Sequence, residues 1–150
     1  MEKGRVDVIV GNAISVALAT PQAAFLHVVN CKGVMGSGVA KEVKERVTGA
    51  YEIYAYAAAT GIRLGSYSTS AGFYNLAAQE DFGRQRRHLN YAALAHSLSS
   101  VRQDTLAYNT IVVPYKMGAD RAGGDWDIVV EMLEFFFADK FIIACKLGVN

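Results

Sequence analysis

The spacing of apolar side chains changes several times along the chain, and each change marks an element. Arg5-Val-Asp-Val-Ile-Val10 alternates, which is the two-residue period of a half-buried strand, and Gly11-Asn12 ends it. Phe25 to Val29 is a short, β-branched apolar run, the signature of a strand buried on both faces. Val39, Val43 and Val47 then recur at helical spacing with charges between them, predicting a helix over 37–47 that Thr48-Gly49 stops. A second helix is expected from Ala50 to Ala59, ending at Gly61, with Tyr51, Tyr54 and Tyr56 as packing residues. Two strands, near Arg63–Thr69 and Gly72–Ala78, flank Ser70-Ala71 as a hairpin. Asn90 to Val101 reads as a helix with an apolar stripe of Leu94, Leu98 and Val101. Thr110–Val113 is a buried strand stopped by Pro114, and Phe141–Cys145 is the closing strand. Between them Asp125 to Ala138 forms an apolar helix, with Ile128, Val129, Met132, Leu133 and Phe136 facing inward.

Alternating strands and helices, with one hairpin, predict an α/β fold: a mixed, mainly parallel sheet between two helical layers, in one domain over residues 1–150. Ligands of such sheets bind beyond the carboxyl ends of the strands. The loops after Val29, Ala78 and Val113 should therefore share one rim.

Composition narrows the function. A 52% hydrophobic and 19% charged chain suits a compact globule. A formal net charge of +1 gives no bulk attraction to nucleic acid or anionic lipid, so any anion site must come from local geometry. Two cysteines, Cys31 and Cys145, make no disulfide scaffold, and no His/Cys spacing suggests a metal. A reducing, cytoplasmic setting is expected. Lys3 and Arg5 before an apolar stretch to Ala19 faintly echo a signal peptide, but Asp7, Gly11 and Asn12 interrupt it. No apolar run approaches the roughly 18–20 residues of a membrane span.

The most informative stretch runs from Phe25 to Val47, as strand, glycine loop and helix start. Gly33, Gly36 and Gly38 allow the backbone to approach a ligand, and the helix N-terminus offers N–H groups to an anion. The spacing is neither a Walker loop nor a dinucleotide-binding fingerprint, since Gly38 precedes Val39 and Lys41 stands where a third glycine would be needed. By glycine content alone it is better read as a tight strand-to-helix turn than as a phosphate site.

The full string Val29-Asn30-Cys-Lys32-Gly33-Val34-Met35-Gly36-Ser37-Gly38-Val39-Ala resembles the first ligand loop of macrodomains, the ADP-ribose-binding α/β module. Within that family it is similar to the phage and bacterial ADP-ribose-processing branch. The resemblance implies a three-layer macrodomain-like fold in which this loop wraps the distal ribose and helps hold the diphosphate, with Asn30 on the ribose hydroxyls. Gly11-Asn12-Ala13-Ile14 resembles the turn whose acidic residue accepts from the adenine amino group, but Asn12 is neutral here. As a plain turn residue Asn12 is equally well explained.

A second glycine loop, Pro114-Tyr-Lys116-Met117-Gly118-Ala119-Asp120-Arg121-Ala122-Gly123-Gly124-Asp125-Trp126, resembles the diphosphate loop of the same branch. Ala119, Asp120 and Arg121 depart from its pattern. Asp120 brings a negative charge to a phosphate site, and Arg121 could offset it or pair with it. Asp125 is expected to cap the following helix, and Trp126 to be core or a lid.

The third segment, Tyr74 to Tyr91, resembles the phage-type stretch through Gln79, Phe82, Gly83, Arg84, Arg87 and Tyr91. Relatives that deglycosylate glutamate or DNA carry a nucleophilic lysine near the Gln79 position, and glutamine cannot form that Schiff base. Gln79 is expected to orient water, Asp81 to act as its general base, and Arg84 to meet a terminal phosphate, while Arg86 and His88 form a solvated face. His27 is read as a core histidine.

The resemblance thus implies ADP-ribose binding and hydrolysis of ADP-ribose 1″-phosphate, by a monomer with no cofactor or metal. Catalytic roles fall to Asn30, Gln79, Asp81 and Arg84, and loss of the Asn30 side chain should stop turnover before binding. The rivals are a non-catalytic ADP-ribose reader and a hydrolase acting on ADP-ribosylated protein or nucleic acid.

Overall fold

The computed structural model describes residues 1–36, 38–83 and 86–148. Its six strands are β1 (Val6–Val10), β2 (Ala23–Asn30), β3 (Tyr67–Ser70), β4 (Phe73–Gln79), β5 (Thr110–Pro114) and β6 (Phe141–Lys146). Five helices join them: α1 (Ala13–Ala19), α2 (Gly38–Arg46), α3 (Ala50–Thr60), α4 (Tyr91–Asp104) and α5 (Trp126–Phe136). The sheet order is β1-β6-β5-β2-β4-β3, parallel throughout except that β3 runs antiparallel to β4. The parallel strands therefore all end on one rim.

Both faces of the sheet are covered. Along β2, Leu26 joins the α4/α5 side with Leu76, Leu98, Ile111, Leu133 and Ile142, while Phe25 joins the α1/α2 side with Val43, Phe73 and Val112. A third cluster of Val29, Met35, Tyr54 and Ala77 lies under α3. The alternation follows from the two-residue period of a strand covered on both sides. His27 is indeed a core residue: it is 2% exposed, and its Nε2 lies 2.6 Å from the Asn75 side-chain oxygen. Burial brings its pKa down to about 4, with the Asn75 bond opposing that shift.

Three details depart from the sequence pattern. Helix α1 was not expected, because seven small and apolar residues show no clear period. It is set by Asn12, whose side-chain oxygen accepts the Ser15 N–H, and by burial of Ala13, Ile14 and Ala17. The hairpin turns at Ala71-Gly72 and not Ser70-Ala71, with φ values of 53° and 81° that match the strand twist. In α5 the buried line is Val129, Leu133 and then Phe137, whereas Ile128 is 41% exposed. No helix among the described residues is long and apolar enough to cross a membrane.

Candidate functional site

At the end of β2 the chain is wound around one amide. Asn30 is 6% exposed. Its oxygen accepts from the backbone N–H of Lys32 at 2.9 Å and of Val34 at 3.3 Å, and lies 2.8 Å from the Tyr54 hydroxyl. Its nitrogen donates to the Val34 carbonyl at 2.9 Å. The Tyr54 hydroxyl is also 2.6 Å from the Asn30 carbonyl and accepts the Gly33 N–H at 3.1 Å. With a single proton, that hydroxyl donates to one of the two Asn30 oxygens at a time. Burial pushes the Tyr54 pKa up to about 12. This winding leaves the N–H groups of Met35 and Gly36 without a partner among the described residues, just before α2 begins. The Met35 side chain is not a ligand contact, because it is buried with Val29 and Tyr54. Candidate residue Ser37 lies outside the described residues.

The loop after β5 folds back on itself. Gly124 donates to the Gly118 carbonyl at 2.9 Å, and Ala119 to that of Lys116 at 2.8 Å. The backbone N–H groups of Asp120, Arg121 and Ala122 are left without a partner among the described residues. The two bends meet: a Cβ placed on Gly38 would stand 3.8 Å from Nε of Arg121. Asp120 and Arg121 form no ion pair with each other. Asp125 caps α5 as expected, accepting the Asp127 N–H at 2.9 Å.

Three glycines of this loop have a packing reason of their own. A Cβ on Gly124 would come within 2.4 Å of Leu89 Cδ2 and 2.6 Å of the Gly118 carbonyl oxygen. One on Gly123 would meet Arg87 Cα at 3.1 Å, and one on Gly118 would meet Leu89 Cδ1 at 3.1 Å. Close approach of residues 86–89 explains these glycines, so they need no ligand to account for them. Met117 and Ala122 are likewise core residues, and Ile14 is fully buried beneath the first turn.

The stretch after β4 is tied to the same loop. His88 and Leu89 both donate to the Ala122 carbonyl, at 2.8 and 3.0 Å, and Asp125 donates to the Tyr91 hydroxyl at 2.8 Å. A cavity of about 380 Å³ opens here, lined by Leu64, Glu80, Asp81 and residues 86–92. Arg86, which is exposed, and His88 belong to its wall, and His88 Nε2 is buried there with no hydrogen-bond partner among the described residues. The Arg87 guanidinium lies 4.8 Å from the centre of the Tyr91 ring. Gln79 spends its side-chain N–H on the Asp81 carbonyl at 2.7 Å, and an Asp81 carboxylate oxygen accepts the Phe82 N–H at 2.8 Å. Arg84, the residue assigned to a terminal phosphate, lies outside the described residues.

Solved structures share this architecture at low sequence identity. A macrodomain protein from Streptomyces coelicolor superposes with a TM-score of 0.77 at 17% identity, covering 96% of this chain and 100% of that one. The macrodomain of Mycobacterium tuberculosis DarG gives 0.76 at 20% identity, covering 97% and 99%. Thermosipho africanus DarTG, solved in complex with ADP-ribose, gives 0.72 at 16% identity over 97% of this chain and 43% of that one. The chain has the macrodomain fold. No family model and no curated protein sequence matches it.

In this macrodomain fold the first turn holds residues that the sequence did not single out. Asn12 Oδ1 accepts from Ser15 N–H at 2.9 Å and Arg46 Nη1 at 3.0 Å, while Asn12 Nδ2 donates to Glu42 Oε2 at 2.8 Å. Arg46 also binds that Glu42 oxygen at 2.8 Å and the Ser15 hydroxyl at 3.0 Å. The only signal for this network was Glu42 and Arg46 at i, i+4 on α2, which reads as an ordinary solvated pair. Tyr115 is a second omission. Its ring packs edge-on to Trp126 at 5.4 Å, and the Lys116 and Lys146 ammonium groups lie 5.7 and 5.2 Å from its centre. Among the described residues no group of three or more His, Cys, Asp or Glu side chains could hold a metal.

Proposed function

We propose that the protein binds ADP-ribose along the carboxyl rim and hydrolyses ADP-ribose 1″-phosphate to ADP-ribose and phosphate. One observation carries the binding: two bends on neighbouring strands approach each other, each with backbone N–H groups that lack a partner, beside the start of α2. Such N–H pairs suit a diphosphate, and the relative solved with ADP-ribose shares the fold. The distal ribose then lies under residues 31–36, and Asn30 acts by shaping that loop.

The cavity beyond β4 supports the terminal-phosphate end. Arg86 and Arg87 on its wall supply positive charge and donors, His88 adds a ring nitrogen, and Asp81 on the same wall is the candidate base for a water attacking phosphorus. Water adds to phosphorus, the bond to the 1″-oxygen breaks, and the proton passes to that leaving oxygen. Catalysis of this kind rests on positioning and charge stabilisation. The test is release of inorganic phosphate from ADP-ribose 1″-phosphate, with binding of ADP-ribose measured separately by calorimetry. Phosphate release lost on Asp81→Asn, with ADP-ribose affinity kept, supports the assignment.

A second reading is a reader of ADP-ribose or of ADP-ribosylated protein or nucleic acid. The Gln79 amide is engaged by the Asp81 carbonyl and one Asp81 oxygen by the Phe82 N–H, which reduces what either can offer to water. Tight ADP-ribose binding with no phosphate release selects this reading. Flat calorimetry rejects both.

A further inference from the structure

We infer that Arg121 is a charged strap across the gap between the two bends, closing over the diphosphate that the backbone N–H groups hold; this rests on the ADP-ribose reading above. The bends follow neighbouring strands, β2 and β5. Arg121 belongs to the second bend and crosses to the first. Its Nε lies 3.8 Å from the position of a Cβ on Gly38, where α2 begins, and Gly38 has no side chain to hold the guanidinium off. Backbone N–H groups without a partner among the described residues stand at both ends of that crossing. Met35 and Gly36 supply them on one side, and Asp120, Arg121 and Ala122 on the other.

The sequence allows Arg121 either to offset the Asp120 charge or to pair with it. The structure shows no such pair, nor any other ion pair of Arg121 among the described residues. Its charge is therefore not spent on a carboxylate of the protein. It is carried instead toward the first turn of α2, where the helix is already positively polarised. That placement is unfavourable on its own and becomes favourable when a doubly charged anion lies between the cation and the bends. A guanidinium presents a planar fork of N–H donors that meets two phosphate oxygens at once. The backbone cradle alone offers partial charges, whereas the strap adds a full one and offsets the neighbouring Asp120 carboxylate. Arg121 is exposed, so it can swing aside to admit the ligand and return over it. This residue is also where the second loop departs from the diphosphate-loop pattern it otherwise resembles, so the strap belongs to this chain's own sequence.

The experiment is calorimetry of the full chain with ADP-ribose at low and at raised salt, alongside thermal melting. Arg121→Leu should weaken binding at low salt by about tenfold or more, the scale of one charge-assisted contact. Its affinity should also fall less steeply with salt than that of the wild type, because a full charge has left the site. Arg121→Lys keeps the charge without the fork and should bind between the two. Both variants should melt within about 2 °C of the wild type, as expected for an exposed side chain outside any ion pair among the described residues. Arg5→Leu, just before β1 at the opposite end of the sheet, removes the same net charge and should leave affinity within about twofold. Wild-type binding with Arg121→Leu within about threefold of it overturns the strap and leaves ADP-ribose binding standing. Equal losses in Arg121→Leu and Arg5→Leu mark the field of the whole chain and also overturn it. A lowered melting point, with Arg121→Lys binding no better than Arg121→Leu, marks a loosened bend and overturns it as well. Failure of the wild type to bind ADP-ribose removes the parent reading and this inference together.

Discussion

Replacing Tyr54 by phenylalanine removes one oxygen from the point on which the first bend is wound. Tyr54 is 1% exposed, so the change leaves the ring buried and creates almost no cavity. What it strands is polar. The Asn30 carbonyl loses its 2.6 Å partner, the Asn30 side-chain oxygen loses one at 2.8 Å, and the Gly33 N–H loses its acceptor at 3.1 Å. A buried group left unsatisfied costs about 1–3 kcal/mol. Only one donor bond is made at a time, and half-buried Gly33 can turn to water, so the loss should be about 2–3 kcal/mol in all. For a chain of this length each kcal/mol moves the melting midpoint by roughly 2–4 °C, giving a fall of roughly 4–12 °C. The same change loosens the loop that presents the Met35 and Gly36 N–H groups, so ADP-ribose affinity should fall by about tenfold. Urea unfolding followed by circular dichroism gives the first quantity and calorimetry the second. A loss below about 0.5 kcal/mol with unchanged affinity would refute the idea that this hydroxyl holds the bend.

Other expectations follow from the same contacts. Asn30→Ala should lower stability and ligand affinity together, against the sequence-based expectation that turnover fails first, because its side chain organises the loop; parallel melting and calorimetry decide. Gly124→Ala should cost about 1–3 kcal/mol from overpacking against Leu89 and the Gly118 carbonyl. Gly61→Ala, with open space but φ of 95°, should cost about 1 kcal/mol through backbone strain alone. His27 has a folded pKa of about 4 against an ordinary 6.5, so the unfolded chain binds the proton more readily. Its contribution is complete above about pH 6.5 and is lost as the pH falls toward 4, by on the order of 3 kcal/mol. Relative to wild type, His27→Gln should flatten urea-unfolding stability across that window. Arg102→Ala removes a surface pair with Asp139, 59% exposed, and should change stability by less than about 1 kcal/mol in the same assay.

The residue pattern by itself determined most of the body of this protein. Val39, Val43 and Val47 marked α2, the run Phe25–Val29 marked a central strand, and Asp125 marked the start of α5. These signals are legible because each depends on a short-range period or a cap within a few residues. The glycine bends were legible as bends, and their shared rim followed from strand direction. What fills the space around them was not. Leu89, Arg87 and Gly124 are far apart along the chain or belong to different elements, and only packing shows that the glycines of the second loop make room for the chain itself. That Asn30 is the centre of a wound loop was not legible, because this role requires Tyr54, which lies a helix away. Glu42 looked like half of an ordinary surface pair until α2 was laid against the cap of α1. Periodicity carries information about neighbours in sequence, and the partner of a polar side chain is chosen by which elements the core brings into contact.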